Sequence, residues 1–252
     1  MNQFSKQAPT GSILRFLHWL LLLCSLLIVA CYLSWQALSA SNFAYPLWYE
    51  LLAIDKTIET YAPRNPIRPN FHLTDSNEHQ RLFRAIVHAI NHQGEGLTEL
   101  HYHDNMGHPL GPLLTQAEIQ HLYDVAQLVD RFRMVAWVAV IAGLLLAPLT
   151  LRYPQPPPSL AQISLTLLAT TLILGGAILL TGPVEIFYAL HVWLFPPEHQ
   201  WFFYYEESLM SMMMQAPNLF GPIAIMWVVS ALLLTSLFWQ LLVLLHRHCR
   251  TD

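Results

Sequence analysis

The chain has 252 residues, of which 54% are hydrophobic and 11% are charged, and its formal net charge is −4. Soluble domains carry about 25% charged residues, and disordered chains combine low hydrophobicity with high charge, so the composition excludes both classes. The negative charge leaves no electrostatic footprint for binding nucleic acid, and three cysteines without a CxxC motif make no disulfide framework.

Four apolar segments can cross a bilayer, which takes about 20 mostly apolar residues. The predicted spans are 13–38, 134–151, 160–182 and 220–245. They leave short termini at 1–12 and 246–252 and three connecting segments at 39–133, 152–159 and 183–219. The first span contains the lipobox-like Ile28-Val29-Ala30-Cys31, but its apolar pattern continues to Leu38, which favours a retained helix. The sequence therefore predicts an all-α integral membrane protein with four transmembrane helices and a small helical extracytoplasmic domain between spans one and two.

Basic residues of the short segments set the orientation. Segment 183–219 has four glutamates and neither lysine nor arginine. By contrast, Lys6 and Arg15 lie before and at the start of span one, Arg152 lies between spans two and three, and Arg247 and Arg250 follow span four. Because cytoplasmic loops are enriched in Lys and Arg, we expect both termini to be cytoplasmic and segments 39–133 and 183–219 to face outward.

The long outer segment has two predicted helices. Apolar residues recur at three- and four-residue steps in Pro46–Tyr61, which predicts an amphipathic helix able to lie on the bilayer surface, and in Asp75–Asn91. The segment is rich in histidine: His88 and His92 are four residues apart, and a loop contains His101, His103 and His108 with Asp104. Histidines in such groups can either bind a metal ion or lie exposed to solvent on the protein surface. We expect no bound metal, because no complete set of metal ligands is evident.

Thr115 and Glu118 form a capping-box pattern, which predicts a helix from Gln116 that continues into span two. His121 and Asp124 lie three residues apart on one face of that helix. The spacing fits either a functional pair or a fortuitous surface pair.

Gly182-Pro183 predicts a break after span three, with a helix resuming over Val184–Leu194. This helix carries His191 and leads into a stretch of aromatic residues typical of the membrane interface. A histidine among aromatic rings can be a structural core residue whose ring nitrogens are hydrogen-bonded, or it can be a functional residue. The run Met210–Met214 suits either packing or contact with acyl chains.

Two stretches resemble the lipoprotein intramolecular transacylase (Lit) family. His121-Leu122-Tyr123-Asp124-Val125, preceded by Glu118, resembles the family's H-x-x-D-V element. The second stretch resembles the family in the order of its residues. These are Leu190 to Phe195, which include His191 and Trp193, followed by Trp201, Glu207-Ser208-Leu209, Pro217 and Phe220. The resemblance covers about Leu113 to the end of the chain, and the order of the four spans is similar too.

This resemblance implies an intramolecular O-to-N acyl transferase at the outer face of the bacterial cytoplasmic membrane. The sn-2 acyl chain of a diacylglyceryl-modified lipoprotein would move to the α-amine of its own N-terminal cysteine. The partners implied are that lipoprotein and membrane lipids, with no cofactor. The resemblance assigns catalysis to His121 and His191, and substrate binding to Trp193, Phe195, Trp201 and Glu207.

The chemistry fits these residue types. An α-ammonium group must lose a proton before it attacks an ester, and a neutral imidazole can accept that proton near pH 7. A second imidazole can donate a hydrogen bond to the oxyanion, and Asp124 is expected to orient His121 as a third catalytic residue. Which histidine is the base stays open. Two alternatives are a haem or metal protein using pairs among His18, His246, His121 and His191, and a non-catalytic membrane scaffold.

Overall fold

The computed structural model describes residues 9–153 and 156–249. The predictions made on Lys6 and Arg250, and on the outermost parts of both termini, lie outside these residues. Within the described ranges the chain forms nine α-helices and two short strands. In chain order they are α1 (Pro9–Ala40), α2 (Tyr45–Leu51), α3 (Ile54–Tyr61), α4 (Ser76–Asn91), β1 (His101–His103), β2 (Pro109–Pro112), α5 (Gln116–Arg152), α6 (Leu160–Thr181), α7 (Pro183–Leu194), α8 (Leu209–Met214) and α9 (Phe220–His248).

Four helices, α1, α5, α6 and α9, are long and apolar enough to cross a membrane. Three of them contain a predicted span, and α6 ends one residue before the end of the fourth, so the predicted fold class of four membrane-spanning helices is confirmed. Many of their large apolar side chains are exposed, including Val138, Leu144 and Leu165. In a membrane protein such side chains face lipid, so they avoid the free-energy cost of exposing apolar surface to water.

The chain divides into two compact units. The first comprises the described residues of Met1–Ser34, Arg133–Ile173 and Trp227–Asp252. Its core contains Trp19, Leu22, Ile163, Leu167, Trp239, Leu242 and Val243. His18 lies in this unit, where its Nε2 is 2.8 Å from the Thr150 hydroxyl, so its polar ring has a partner inside the unit.

The second unit comprises Trp35–Phe132 and Leu174–Met226. Its core joins α2, α3, α4, the strands, the start of α5 and α8, and its largest fully buried side chains include Tyr45, Ile54, Phe71, Leu82 and Met212. Helix α4 begins one residue after Asp75, whose side chain accepts a hydrogen bond from the Glu78 amide, and it buries the face predicted from its periodicity.

The predicted helix over Pro46–Tyr61 is wrong in one respect, because the chain breaks between α2 and α3. Ala53 has a φ of 50°, in the left-handed region. Tyr49 and Ile54 are both buried, although five residues of a straight helix would turn their side chains about 140° apart. The break therefore lets both short helices pack against one core.

The predicted loop that carries His101, His103 and His108 contains a short hairpin. Strands β1 and β2 pair antiparallel, with His101 opposite Pro112 and Tyr102 opposite Gly111. Tyr102 is 2% exposed and its ring contacts Phe71 edge to face. Burial of this one side chain holds the hairpin against the core and leaves the neighbouring histidines at its surface.

Two local signals are confirmed. Helix α5 begins at Gln116, and α7 begins at Pro183 after Gly182, which has a φ of +107°. Proline is tolerated in the first turn of a helix, because the N–H that it lacks would have no hydrogen-bond partner there. Glycine adopts a positive φ without steric cost. These two boundaries set the positions of His121 on α5 and His191 on α7.

Candidate active site

The start of α5 is fixed by Glu118, which has no exposed surface. Its carboxylate accepts from the Thr115 amide at 2.5 Å, and the Glu118 amide donates to the Thr115 hydroxyl at 3.3 Å, so the predicted capping box is confirmed. The Ser208 hydroxyl also donates to Glu118, and the Arg68 guanidinium lies 3.8 Å away. One buried carboxylate thus holds three separate segments together.

His121 lies nearly one turn further along α5 and is 9% exposed. Its ring centroid is 6.1 Å from that of His191, 4.8 Å from Phe195 and 6.0 Å from Phe203. Among the described residues, its buried Nδ1 has no hydrogen-bond partner. An unpaired buried polar atom is costly, so this nitrogen is available to a ligand that brings a polar group.

His191 is held in one tautomer by its own helix. Its Nδ1 lies 2.7 Å from the Phe187 carbonyl oxygen. A carbonyl only accepts, so Nδ1 carries the proton, and in the neutral ring the lone pair is on Nε2. Burial lowers the pKa of His191, which favours this neutral form, while the bond to the Phe187 carbonyl opposes the shift.

Asp124 is 9% exposed, and both of its oxygens are hydrogen-bonded to groups other than His121. Oδ2 accepts from His199 Nδ1 at 2.7 Å, and Oδ1 accepts from the Gln120 amide at 3.2 Å. Within the described chain, therefore, the expected hydrogen bond from His121 to Asp124 is not formed. His199 was missed by sequence reasoning, because it is 75 residues from Asp124 and no local spacing links the two.

A cavity of about 240 Å³ opens beside the two histidines. Its walls are mostly apolar, and α4 and α8 contribute Phe83, Ile86, Val87, Ile90, Met210 and Met214 to them. Trp201 lines it as well. An apolar cavity with two imidazoles at its wall can bind an acyl chain and present its carbonyl group to polar atoms.

The four expected substrate-binding residues separate into two pairs. Phe195 is buried against His121, and the Trp201 ring lies 4.9 Å from that of His191. Trp193 is 79% exposed, and Glu207 is exposed too. Neither Trp193 nor Glu207 lines the cavity described above.

Four other histidines of the second unit have partners outside this site. His88 and His92 stack with their ring centroids 4.0 Å apart, His103 lies 3.1 Å from Glu78, and His108 lies 3.1 Å from Asp104. Over residues 9–153 and 156–249 no group of three or more histidine, cysteine or acidic side chains is arranged to hold a metal ion.

Comparison with known proteins identifies a matching family model and solved structures with a similar fold. The model of the family described as lipoprotein intramolecular transacylase Lit matches residues 19–220, which includes the region 39–112 that the sequence resemblance did not cover. No curated protein sequence matches the chain.

Solved structures of the membrane-integral Lit from Bacillus cereus are similar in fold. Two of them carry a single histidine substituted by arginine or by alanine; both have a TM-score of 0.67 and 15% identity, and the match covers 96% of this chain and 96% and 98% of those chains. A third has a TM-score of 0.65 and 16% identity, covering 96% of this chain and 100% of that one.

Proposed function

The chain belongs to the lipoprotein intramolecular transacylase family, and from this premise we propose that it moves the sn-2 acyl chain of a diacylglyceryl-modified lipoprotein to the α-amine of the lipoprotein's own N-terminal cysteine. It is a multi-pass membrane acyltransferase. Membership of this family favours that function over a haem protein, a metal protein or a non-catalytic scaffold. The observation that carries the proposal is that His121 and His191, from two different helices, meet beside an apolar cavity.

His191 is the general base of the proposed reaction. Its Nδ1 proton is engaged by the Phe187 carbonyl, so Nε2 is the atom that accepts a proton from the substrate α-amine. Burial keeps the ring neutral and ready for that role. The Phe187 carbonyl also stabilises the imidazolium once it forms, as the carboxylate of a catalytic triad does.

His121 is the hydrogen-bond donor to the oxyanion. Attack of the amine nitrogen on the ester carbonyl places negative charge on oxygen, and a donor held in a dry site stabilises this charge strongly. The Nδ1 of His121 is buried and has no partner in the part of the chain that the structure describes, which fits a group whose partner arrives with the substrate. Collapse of the intermediate breaks the bond to the glyceryl oxygen, which takes the proton held by His191.

The apolar cavity accommodates the migrating acyl chain. Because amine and ester belong to one substrate molecule, the enzyme has to hold them close together rather than bring two substrates together. Methionine side chains adapt to a flexible chain at low cost, and the walls offer aliphatic and aromatic contacts throughout. Phe195 and Trp201 cover the histidines and are the substrate-contacting residues of the proposal.

We further propose that the reaction takes place at the outer face of the bacterial cytoplasmic membrane, with both termini in the cytoplasm. The basic residues at the ends of the spans support this orientation, since Arg15 lies at the start of span one, Arg152 follows span two and Arg247 follows span four. The partners are then the diacylglyceryl lipoprotein and the lipids around it.

The test uses full-length enzyme and a synthetic diacylglyceryl lipopeptide, with mass spectrometry of the product. The wild-type enzyme should produce an isomer of unchanged mass in which tandem fragmentation places one acyl group on the amine. His191→Ala and His191→Gln should both lower the rate by about 10²–10⁴, because neither side chain is a base. His121→Ala should lower it by about 10²–10³, whereas His121→Gln, which keeps an N–H donor, should retain about tenfold more activity than the alanine variant.

His88→Ala is the control, because His88 is exposed and stacks only against His92 among the described ring contacts. It should keep the wild-type rate. The proposal is contradicted if the wild-type enzyme makes no N-acylated isomer, or if either alanine variant at the two site histidines keeps more than about a tenth of the wild-type rate, which corresponds to under ~1.4 kcal/mol.

A further inference from the structure

The stretch Phe195–Ser208, here called the aromatic loop, connects α7 to α8 and covers both site histidines. Phe195 and Phe203 contact the His121 ring, and Trp201 contacts the His191 ring. These side chains are separated along the loop, so they cover the site only while the loop keeps one conformation. What holds the loop therefore decides whether water reaches the histidines.

Among the described hydrogen bonds, one connects the middle of the aromatic loop to α5. His199 Nδ1 donates to Asp124 Oδ2 at 2.7 Å. The other described hydrogen bonds of residues 195–203 are either internal to the loop, such as that of Gln200 to the Phe202 carbonyl, or return to α7 through the Phe195 amide. At the far end, Ser208 is bonded to Glu118. The loop is thus attached to α5 on both sides of His121, at Asp124 and at Glu118.

The His199–Asp124 contact has the properties of a firm attachment. Asp124 is 9% exposed, and its second oxygen is held by Gln120, so the carboxylate has a fixed orientation. A hydrogen bond to a charged acceptor is about twice as strong as one between neutral groups. Pro196 and Pro197 precede His199 and restrict the backbone between Phe195 and this attachment.

Water is the natural competitor of the proposed reaction. If water rather than the α-amine attacks the ester carbonyl, a carbon–oxygen bond forms to the water oxygen and the bond to the glyceryl oxygen breaks. The products are a free fatty acid and a lipoprotein that has lost one acyl chain and keeps its free amine. A base and an oxyanion donor assist this hydrolysis as readily as the transfer, so the enzyme must exclude water to remain a transacylase.

We propose that His199 and Asp124 are positioning residues that hold the aromatic loop over the two histidines and thereby set the ratio of acyl transfer to hydrolysis. This proposal rests on the proposed function. Asp124 acts here through His199 and the loop rather than by orienting His121.

The experiment measures two products of the full-length enzyme acting on a diacylglyceryl lipopeptide: the N-acylated isomer, and the free fatty acid with its lighter deacylated peptide. His199→Ala and Asp124→Ala should each raise the ratio of fatty acid to isomer about tenfold, the effect of losing one hydrogen bond to a charged group. The double variant should show no larger ratio than either single one, because the two residues act as a unit.

Three further variants separate this role from general structural damage. His199→Asn keeps an N–H donor near the same position and should keep the wild-type ratio. Asp124→Asn keeps an acceptor without its charge and should raise the ratio less than Asp124→Ala does. Glu198→Ala, at an exposed neighbouring position of the same loop, should leave the ratio unchanged.

Because the readout is a ratio, it is independent of how much folded enzyme each preparation contains. An unchanged ratio in both alanine variants, an equal increase in Glu198→Ala, or additive increases in the double variant would overturn the proposal. If an alanine variant does not fold, the Asp124→Asn variant tests the proposal instead. A wild-type ratio of fatty acid to isomer in that variant would reject the positioning role. A wild-type enzyme that makes no N-acylated isomer would instead reject the proposed function.

Discussion

At the scale of single residues, His79 shows what a histidine with a purely structural role looks like in this chain. It is 3% exposed, yet both ring nitrogens have partners. The Thr74 hydroxyl donates to the Phe71 carbonyl and so accepts from His79 Nε2 at 2.6 Å, while the Tyr49 hydroxyl donates to Nδ1 at 2.8 Å. His121 is similarly buried, but among the described residues its Nδ1 has no partner, which fits the ligand-binding role proposed for it.

His79 makes the stability of the second unit depend on pH. Burial lowers its pKa to about 4, from an ordinary value of about 6.5. Between these values the unfolded chain binds a proton at this residue that the folded chain does not, so the free energy of unfolding should decrease as pH falls from about 6.5 to 4, by about 3 kcal/mol from His79 alone. Thermal unfolding in detergent across this range should show the loss.

In the His79→Leu variant this part of the pH dependence should disappear, although the variant is less stable at pH 7 because Thr74 and Tyr49 lose their partner. His92→Ala serves as the control, since its ring is exposed. If the pH profiles of wild-type and His79→Leu run parallel between pH 4 and 6.5, His79 is not the group responsible.

At the scale of secondary-structure elements, the end of α4 is fitted closely to α5. Gly94 follows α4 with a φ of +84°, and a Cβ placed on it would lie 2.2 Å from the Tyr123 ring. Tyr123 is two residues beyond His121 on α5. The absence of a side chain at Gly94 therefore lets α4, which forms one wall of the cavity, approach the helix that carries the site histidine.

Gly94→Ala should destabilise the protein more than Gly107→Ala. Both glycines have a φ of +84°, so both substitutions carry the same conformational cost of about 1 kcal/mol, but nothing lies within 4 Å of the Cβ position at Gly107. The comparison isolates the steric term, which should add about 1–3 kcal/mol at Gly94 alone. Thermal unfolding and lipopeptide activity measure the effect, and equal losses in the two variants would show that the contact with Tyr123 relaxes freely.

Glu118 illustrates how one local motif acquires further roles. Its pairing with Thr115 is a local helix-capping interaction, encoded within four residues. The same carboxylate also accepts from Ser208 and balances the buried charge of Arg68, contacts that join segments far apart in the chain. The start of α5 is consequently both a helix end and an anchor for the aromatic loop.

At the scale of the whole molecule, the orientation in the membrane is open to direct measurement. Single cysteines at Asn105 and Gln200, both exposed positions, should react with an impermeant thiol reagent in intact spheroplasts. The background should lack Cys24, Cys31 and Cys249, and a variant that keeps only Cys249 reports the side on which the end of α9 lies. Labelling of Cys249 together with protection of both introduced cysteines would reverse the proposed topology.

The sequence alone determined the features that depend on neighbouring residues. The four spans follow from hydropathy over about 20 residues, the start of α5 from the capping box at Thr115, and the break before α7 from Gly182-Pro183. The motifs around His121 and His191 were also sufficient to identify the family, because they keep their order along the chain.

How distant residues meet is visible only in the folded protein. The tertiary structure paired Asp124 with His199 instead of His121, and it divided the predicted helix at Ala53 so that Tyr49 and Ile54 share one core. Among the described residues it also left His121 Nδ1 without a partner and gave His191 Nδ1 one, which is the basis of the different roles proposed for them. These outcomes depend on the path of the backbone through space, and periodicity or spacing along the chain carries no record of that path.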